Sequence, residues 1–291
     1  MKEKKEAPSL RVKVKWDSVA AFILMHLAAL GIFFTFSWPA FWVFFVLQWV
    51  TGGLGICLCY HRLLTHRSFH LWKPLEYCLA VCGCLAYQNG PIKWVAIHRL
   101  HHASSDQPDD PHSPTRGFWW AHMGWLFSFN DNLDRFEKYR AYAPDLANDR
   151  VYRFLNATHG LYQVILGLIL YAWGGWPFVI WGIFFRTVFM WHCTWLVNSA
   201  SHTWGYRIWA TGDQSTNNWW VALLTYGEGW HNNHHAFLRS AAHGLAWWEM
   251  DLTYWTIRLL AAVGLASRIQ LPTLQQQQRM ARPSDVAAVA A

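Results

Sequence analysis

The chain has 291 residues, 54% apolar and only 14% charged, with 22 Trp, 18 Phe and a formal net charge of +7. That is too apolar and too aromatic for an ordinary soluble domain, and Trp and Tyr gather at membrane interfaces. The positive charge does not imply nucleic acid, because no basic stripe with interleaved stacking residues is present.

Residues 1–17 form a basic N-terminus with Lys2, Lys4, Lys5, Arg11, Lys13 and Lys15. Residues 18–36 are an apolar run longer than a signal-peptide core. No small-residue cleavage site follows it, so it reads as a retained span. Residues 41–60 are a second span without a charge; a span needs about 20 apolar residues. Residues 61–153 are polar, with eleven Lys or Arg. Within them, 74–89 is apolar enough for a helix lying on the membrane surface, a reading preferred here to a re-entrant one. Spans three and four cover 154–173 and 176–197, joined by Gly174-Gly175. Residues 247–260 read as an interfacial helix. From 263 onward, Gln275–Gln278 and an Ala-rich end suggest a disordered tail.

The expected fold is an all-α membrane protein. Four transmembrane helices in two hairpins sit under a cytosolic helical cap, with the membrane domain over 18–262. Lys and Arg in the connections fall on one side, which the positive-inside rule assigns to the cytoplasm together with both termini. Arg186, inside the fourth span, is the exception. A charge there is costly and should face the bundle; helix-end carbonyls are its expected partners, with a role at a tunnel as the second reading. The six Cys (57, 59, 78, 82, 84, 193) lack zinc-ribbon spacing and read as small buried hydrophobes in a reducing compartment.

Histidine dominates the polar parts. His98-Arg-Leu-His101-His102 and His231-Asn-Asn-His234-His235 share one pattern, and positions i, i+3 and i+4 share a helix face. His61 and His66 form a third cluster. Five residues subtend about 140° on a regular helix, so His66 should lie past the helix end or a kink. His202, four after Asn198, is the ninth. Histidine is the commonest metal ligand near neutral pH, and nine imidazoles exceed the needs of one ion. Two metals with four or five nitrogens each are expected, and ligand type alone allows zinc, copper, iron or nickel. Asp106, Asp110 and Glu228 are placed to orient the rings. His26, His70, His112, His122, His159, His192 and His243 lack ligand spacing; His112 is the exception kept as a substrate-facing or ring-orienting group.

These motifs resemble the integral-membrane fatty acid desaturases of the Δ9 type, which includes stearoyl-CoA desaturase and the bacterial and plant acyl-lipid enzymes. The likeness rests on His61-x4-His66, both His-x-x-His-His boxes, Asn198-x3-His202, the stretch Asp110-Pro-His-Ser-Pro-Thr-Arg-Gly-Phe-Trp-Trp-Ala-His-Met-Gly-Trp125 and Gly227-Glu-Gly-Trp-His-Asn-Asn-His-His235. It covers roughly 18–262. The resemblance implies two iron ions (Fe2+) on the nine histidines, with Asn198 acting through a water. It implies O2, two external electrons, and a cis double bond at C9–C10 of a saturated acyl chain carried by a lipid or CoA. It places Gln88, Trp94 and Thr194 at the bend of an acyl tunnel and Trp195 near the acyl carbonyl. No His-Pro-Gly-Gly haem motif is present, so a separate ferredoxin or cytochrome is expected to donate electrons.

A membrane hydroxylase of an alkane or lipid is the rival enzyme reading, separable by product analysis. A metal or haem transporter is the non-enzyme rival; it is disfavoured because the histidines cluster at one surface and not at midplane. Trp49, Gly53, Cys57 and His61, spaced by four, form a stripe running from the metals into the membrane. That stripe suggests Trp49 as the floor of the tunnel, with Gly53 leaving space beside it.

Overall fold

The computed structural model describes residues 13–281, so the basic residues Lys2 to Arg11 and the Ala-rich end, 282–291, lie outside the described residues. The chain is mostly helical, and its helices are set by three long apolar stretches. Helix α1, Trp16–Ala29, continues as a 3₁₀ turn, Leu30–Phe33. Helix α2, Trp38–Gln48, begins at Ser37, whose Oγ accepts from the Ala40 amide at 3.3 Å, with Pro39 in the first turn. It passes without interruption into a π-helical segment, Trp49–Thr65.

A two-residue strand, β1 (His70–Leu71), leads to α3, Lys73–Cys84. The sequence places this apolar stretch flat on a surface. One face of it packs against the π-helical segment: Tyr60 Oη donates to the Ala80 carbonyl at 3.3 Å, and a Cβ on Gly55 would lie 2.5 Å from the Cys82 carbonyl carbon. Glycine at 55 and at 83 removes the side chains that would hold the two apart, so α3 buries one face here. Helix α4, Pro91–Ala103, carries the first His-x-x-His-His box, and α5, Phe118–His122, comes after it.

Helix α6, Arg150–Val179, starts at Asp149, whose carboxylate accepts from the Val151 amide at 2.8 Å. Gly175 breaks it with φ 65° and ψ −157°, a backbone region glycine enters at little cost. Beyond it the chain returns through a π turn, Ile180–Phe185, and α7, Arg186–Ser199. The two legs touch: Gln163 Nε2 donates to Thr187 Oγ1 at 2.7 Å, and Gly182 lies under Leu170. Helix α8, His231–Ala236, carries the second box, and α9, Leu252–Ala262, comes next.

Three helical stretches, Trp16–Phe33, Trp38–Thr65 and Arg150–His202, are long and apolar enough to cross a membrane, and the third is the one folded at Gly175. Phe33, Leu168 and Trp173 point outward from them, more than 60% exposed, which suits lipid and not water.

Residues 263–281 correct the expectation of a disordered tail. Strand β2, Ala266–Ser267, pairs antiparallel with β1, and the Gln270 amide donates to the Ser68 carbonyl at 2.8 Å. Helix α10, Leu274–Met280, then forms behind a capping box of Thr273 and Gln276. The Gln run that suggests disorder supplies both good helix formers and the cap.

Candidate metal centre

Four elements deliver the histidines. The π-helical segment supplies His61 and ends at Thr65, so that His66 is its cap. Its i→i+5 bonding puts residues five apart one turn on. The His66 amide donates to the His61 carbonyl at 3.2 Å, and the two rings lie 4.8 Å apart. His66 thus lies past the helix end, as the spacing predicts, and the π geometry of the last turn is what brings its ring beside His61. Helix α4 supplies His98, His101 and His102, the turn after α7 supplies His202, and α8 supplies His231, His234 and His235.

All nine converge, in two groups. One ring nitrogen from each of His61, His66, His98, His102 and His234 lies within 4.8 Å of the others; His101, His202, His231 and His235 do the same. Each His-x-x-His-His box is therefore shared. In α4, the i, i+4 pair His98 and His102 faces the first group and His101 the second. In α8 the assignment is reversed: His231 and His235 face the second group and His234 the first.

The contacts inside the groups point to cations. Nε2 atoms approach at 3.2 Å (His61–His234), 3.0 Å (His102–His234), 3.0 Å (His98–His102) and 3.1 Å (His202–His231). Neighbouring nitrogens around an ion at about 2.0–2.1 Å sit at roughly such separations. His101 Nδ1 bonds Asp110 at 2.9 Å and His235 Nδ1 bonds Asp213 at 2.6 Å. A carboxylate partner fixes the proton on Nδ1. Both Nε2 atoms then carry lone pairs, yet they face each other at 3.4 Å. No neutral tautomer gives that contact a hydrogen, and although Ser105 Oγ lies 3.3 Å from His101 Nε2, only a cation between the rings satisfies both nitrogens. His66 Nε2 is buried without any partner. The donor set thus fits two ions.

Burial, followed by the repulsion of neighbouring imidazoles, pushes His66, His98, His102, His231 and His234 well below the ordinary histidine range. Burial likewise brings His235 down to about 4 although Asp213 opposes it. Neutral imidazole is the ligating form, so the pocket is set for metal without an acid–base step near neutral pH.

All three predicted orienting acids meet ligand rings. His202 Nδ1 lies 3.2 Å from Asp106, and His61 Nδ1 lies 2.5 Å from Glu228. Burial works against the Asp110 carboxylate, but His112 and His101 outweigh it and hold it far below the usual range. Sequence reasoning misses Asp213, which precedes His235 by 22 residues and has no helical relation to it. It also misses His243, whose Nδ1 lies 3.0 Å from Glu228 and whose ring is 4.4 Å from His234. Arg62 reads in the sequence only as one of the loop charges. It is wholly buried, bonding Glu228 through Nε and Nη2 at 3.1 and 2.9 Å and Asp251 at 2.9 Å. A carboxylate held by a guanidinium is fixed in direction, so Arg62 aims Glu228 at His61.

Of the other histidines, His112 lies with its ring tilted 35° to His101 at 4.4 Å and faces a large cavity. His26, His192 and His122 form a separate hydrogen-bonded chain, 3.0 Å at each step, that ends on Ser199 Oγ. His159 bonds the Asn156 carbonyl at 2.9 Å, and His70 is exposed in β1.

That cavity, of about 1340 Å³, opens beside His98 and Asn198, and Gln88, Trp94, Thr194 and Trp195 all line it. Gln88 Nε2 donates to Thr194 Oγ1 at 2.9 Å, and Trp94 Nε1 donates to Gln88 Oε1 at 3.4 Å. These residues, named by resemblance as a bend, form one hydrogen-bonded brace. Trp49 and Gly53 do not line this cavity. The Trp49 ring folds over Gly53, where a Cβ would come within 2.4 Å of it, and packs edge-on to Tyr226 at 4.9 Å.

The fatty acid desaturase family model matches residues 36–269. The chain belongs to that family. The sn-1 stearoyl-lipid 9-desaturase of Anabaena variabilis is 51% identical, covering 93% of this chain and 99% of that protein. The palmitoyl-monogalactosyldiacylglycerol delta-7 desaturase of Arabidopsis thaliana is 50% identical, covering 93% and 72%. The icosanoyl-CoA 5-desaturase of Limnanthes douglasii is 49% identical, covering 91% and 74%. This desaturase is therefore an oxidoreductase of lipid metabolism with helices apolar enough for a membrane and histidine clusters that could hold metal. Its relatives act at different carbons and on both acyl lipids and acyl-CoA.

Proposed function

We propose that this desaturase introduces a cis double bond at C9–C10 of a saturated acyl chain. The observation that carries the reading is the junction of the two histidine groups with the braced cavity: His98 belongs to the first group and also lines the cavity beside Gln88, Trp94 and Thr194. We assign an iron ion to each group, with Asn198, which shares the cavity wall with His98, acting through a water.

The bound irons supply the oxidation of two adjacent CH2 groups by O2, which with two electrons and two protons from outside yields the alkene and two waters. The chain's own residues supply the geometry. A methylene chain offers no polar handle, so its register comes from shape and from where its carbonyl end is held. The Gln88–Thr194–Trp94 brace bends the acyl chain beneath His98, and Trp195 faces its carbonyl end. The carboxylates on Nδ1 keep four of the ligand rings turned inward. A separate ferredoxin or cytochrome delivers the electrons.

Four crossings result from splitting Arg150–His202 at Gly175, and the positive-inside count then puts all three histidine clusters and both ends of the chain in the cytoplasm. An acyl lipid is the preferred carrier over CoA. At the cavity mouth Lys15 and Lys93 both bind Asp134, at 3.3 and 3.0 Å, and the Arg116 guanidinium lies 3.3 Å over the Trp120 ring. Lys13, the fourth cation lining the cavity, lies 5.5 Å from the Phe129 ring centroid, and the preference for an acyl lipid rests on the 51% identical stearoyl-lipid relative.

The test is expression in a host lacking unsaturated fatty acids, with double-bond position and lipid class read by mass spectrometry. A Δ9 monoene on glycerolipid is expected. A hydroxylated chain would overturn the reading, and a Δ7 or Δ5 product would overturn the position.

A further inference from the structure

Arg186 lies inside the third apolar stretch and is wholly buried, yet no carboxylate bonds it among the described residues. Its guanidinium donates to four neutral acceptors: Gly182 O at 2.9 Å, Thr51 Oγ1 at 3.1 Å, Gln163 Oε1 at 3.0 Å and Leu85 O at 2.8 Å. The first three brace the arginine from the π turn before α7, the π-helical segment and α6. The fourth is different, because Leu85 is the C-terminal cap of α3. A helix C-terminus presents unpaired carbonyls and a partial negative charge, and a cation there is favourable. Burial in a low dielectric strengthens that attraction.

The chain just beyond Leu85 gives the contact its consequence. Two residues on, it turns through Tyr87 and Asn89 with φ of 57° and 75°, a region that non-glycine residues enter only when held. Between them stands Gln88, the centre of the brace. The turn is gripped at two carbonyls: Arg186 holds Leu85 O, and Trp191 Nε1 holds Tyr87 O at 3.0 Å. Gln88 is thus presented to Thr194 and Trp94 by a backbone that Arg186 fixes from below.

We propose that Arg186 is a positioning residue for the site of desaturation: by capping α3 it holds the Tyr87–Asn89 turn, and through Gln88 it sets which carbons of the acyl chain lie beneath the metals. This rests on the reading of the cavity as the acyl tunnel. A buried charge without a counterion is retained because a neutral side chain could not grip four acceptors from four segments at once.

The experiment reads double-bond position, which a loss of folded protein alone does not move. Wild type, Arg186→Gln, Arg186→Lys, Gln163→Leu and Thr51→Val are expressed in the unsaturation-deficient host, and isomers are quantified as ratios within each sample. Removing a hydrogen bond to a charged group changes a balance by roughly tenfold or more, so Arg186→Gln should raise the misplaced fraction about tenfold. Arg186→Lys should fall between it and wild type, since an ammonium reaches the Leu85 carbonyl but not all four acceptors. Gln163→Leu, which loosens the guanidinium without touching α3, should shift the ratio less, and Thr51→Val least. If Arg186→Gln does not accumulate, Gln163→Leu and Arg186→Lys decide. Variants that desaturate at an unchanged isomer ratio overturn the inference. If wild type itself makes no positioned monoene, the acyl-tunnel reading fails instead.

Discussion

The two histidine groups differ in how they are supported. The first brings five ring nitrogens together, and among the described residues only its His61 has a carboxylate at Nδ1; each group also has one buried Nδ1 from α8 without a partner, His234 in the first and His231 in the second. The second takes four nitrogens, and three of its rings, His101, His202 and His235, face Asp110, Asp106 and Asp213. Fewer ligands therefore go with more negative charge behind them. A carboxylate on the far nitrogen raises imidazole basicity and fixes its direction, so three acids can offset one missing ligand. The first group is held by number and by the π-helical segment; the second is held by its outer acids.

Loss of a ligand should have the largest effect. His234→Ala and His231→Ala remove one ring from the first and second group respectively, from the same short helix. Each should abolish desaturation and lower bound metal toward one ion per chain, as metal analysis of purified protein would show. If either variant keeps two ions and activity, the division into five and four is wrong.

Arg62 should come next. Arg62→Met leaves Glu228 and Asp251 buried without their cation, and breaking a buried pair typically costs about 3–5 kcal/mol. The expected result is a large drop in thermal stability, with metal lost first from the five-nitrogen group, because His61 then loses its aimed carboxylate. Loss from both groups together would mean that Arg62 holds the fold and not the first centre.

Smaller effects should separate the outer acids. Asp110→Asn and Asp213→Asn should each weaken metal retention by about 10–100-fold, read as faster loss to a chelator. The loss should be confined to one ion of the two. Asp213 is the sharper case: burial opposes its charged form, yet His235 chiefly holds the carboxylate far below the ordinary range. An unchanged chelation rate would show that the acids only terminate loops.

Much of this arrangement is legible in the residues alone. Identical boxes at 98–102 and 231–235, with Asn198 and His202 four apart, mark a metal protein, because few other patterns place so many imidazoles at helical spacing. The three apolar stretches come from composition. The spacing rules could not supply departure from 3.6 residues per turn. The π-helical segment brings the His61 and His66 rings together at its end, where regular spacing only puts His66 beyond the helix; the split within each box lies on regular α-helices and depends on which neighbouring rings each imidazole meets. Asp213 and His243 reach the site through loops, whose paths carry no periodicity. The approach of α3 to the π-helical segment depends on Gly55 and Gly83, single residues in apolar runs that a hydropathy reading passes over. Residues 263–281 escape because a polar composition says nothing of a two-residue strand whose partner lies far back in the chain, Ser267 opposite His70 and Ala266 opposite Leu71.

The smallest expected effect tests where the cavity stops. Trp49 lies twelve residues before His61, on the same uninterrupted helix, and its ring covers the hollow that Gly53 leaves. The cavity does not reach these residues, and the case for Trp49 rests on the stripe Trp49, Gly53, Cys57 and His61 that runs along this helix from the first histidine group. We propose that its indole is the stop. Trp49→Ala removes a ring that bears on Tyr226 and opens a space beside Gly53; longer chains should then be accepted, while the double bond stays in place because Gln88 and Thr194 are untouched. Gly53→Leu should act in the opposite sense, since even a Cβ there comes within 2.4 Å of the Trp49 ring and must displace it. Product profiles from mixed saturated precursors measure both. The shift is expected to be about one or two methylenes, worth roughly 0.8 kcal/mol each in buried apolar surface. An unchanged length profile in Trp49→Ala would leave the indole as packing against Tyr226 alone, and a moved double bond would show that the tunnel floor and its bend set the register together.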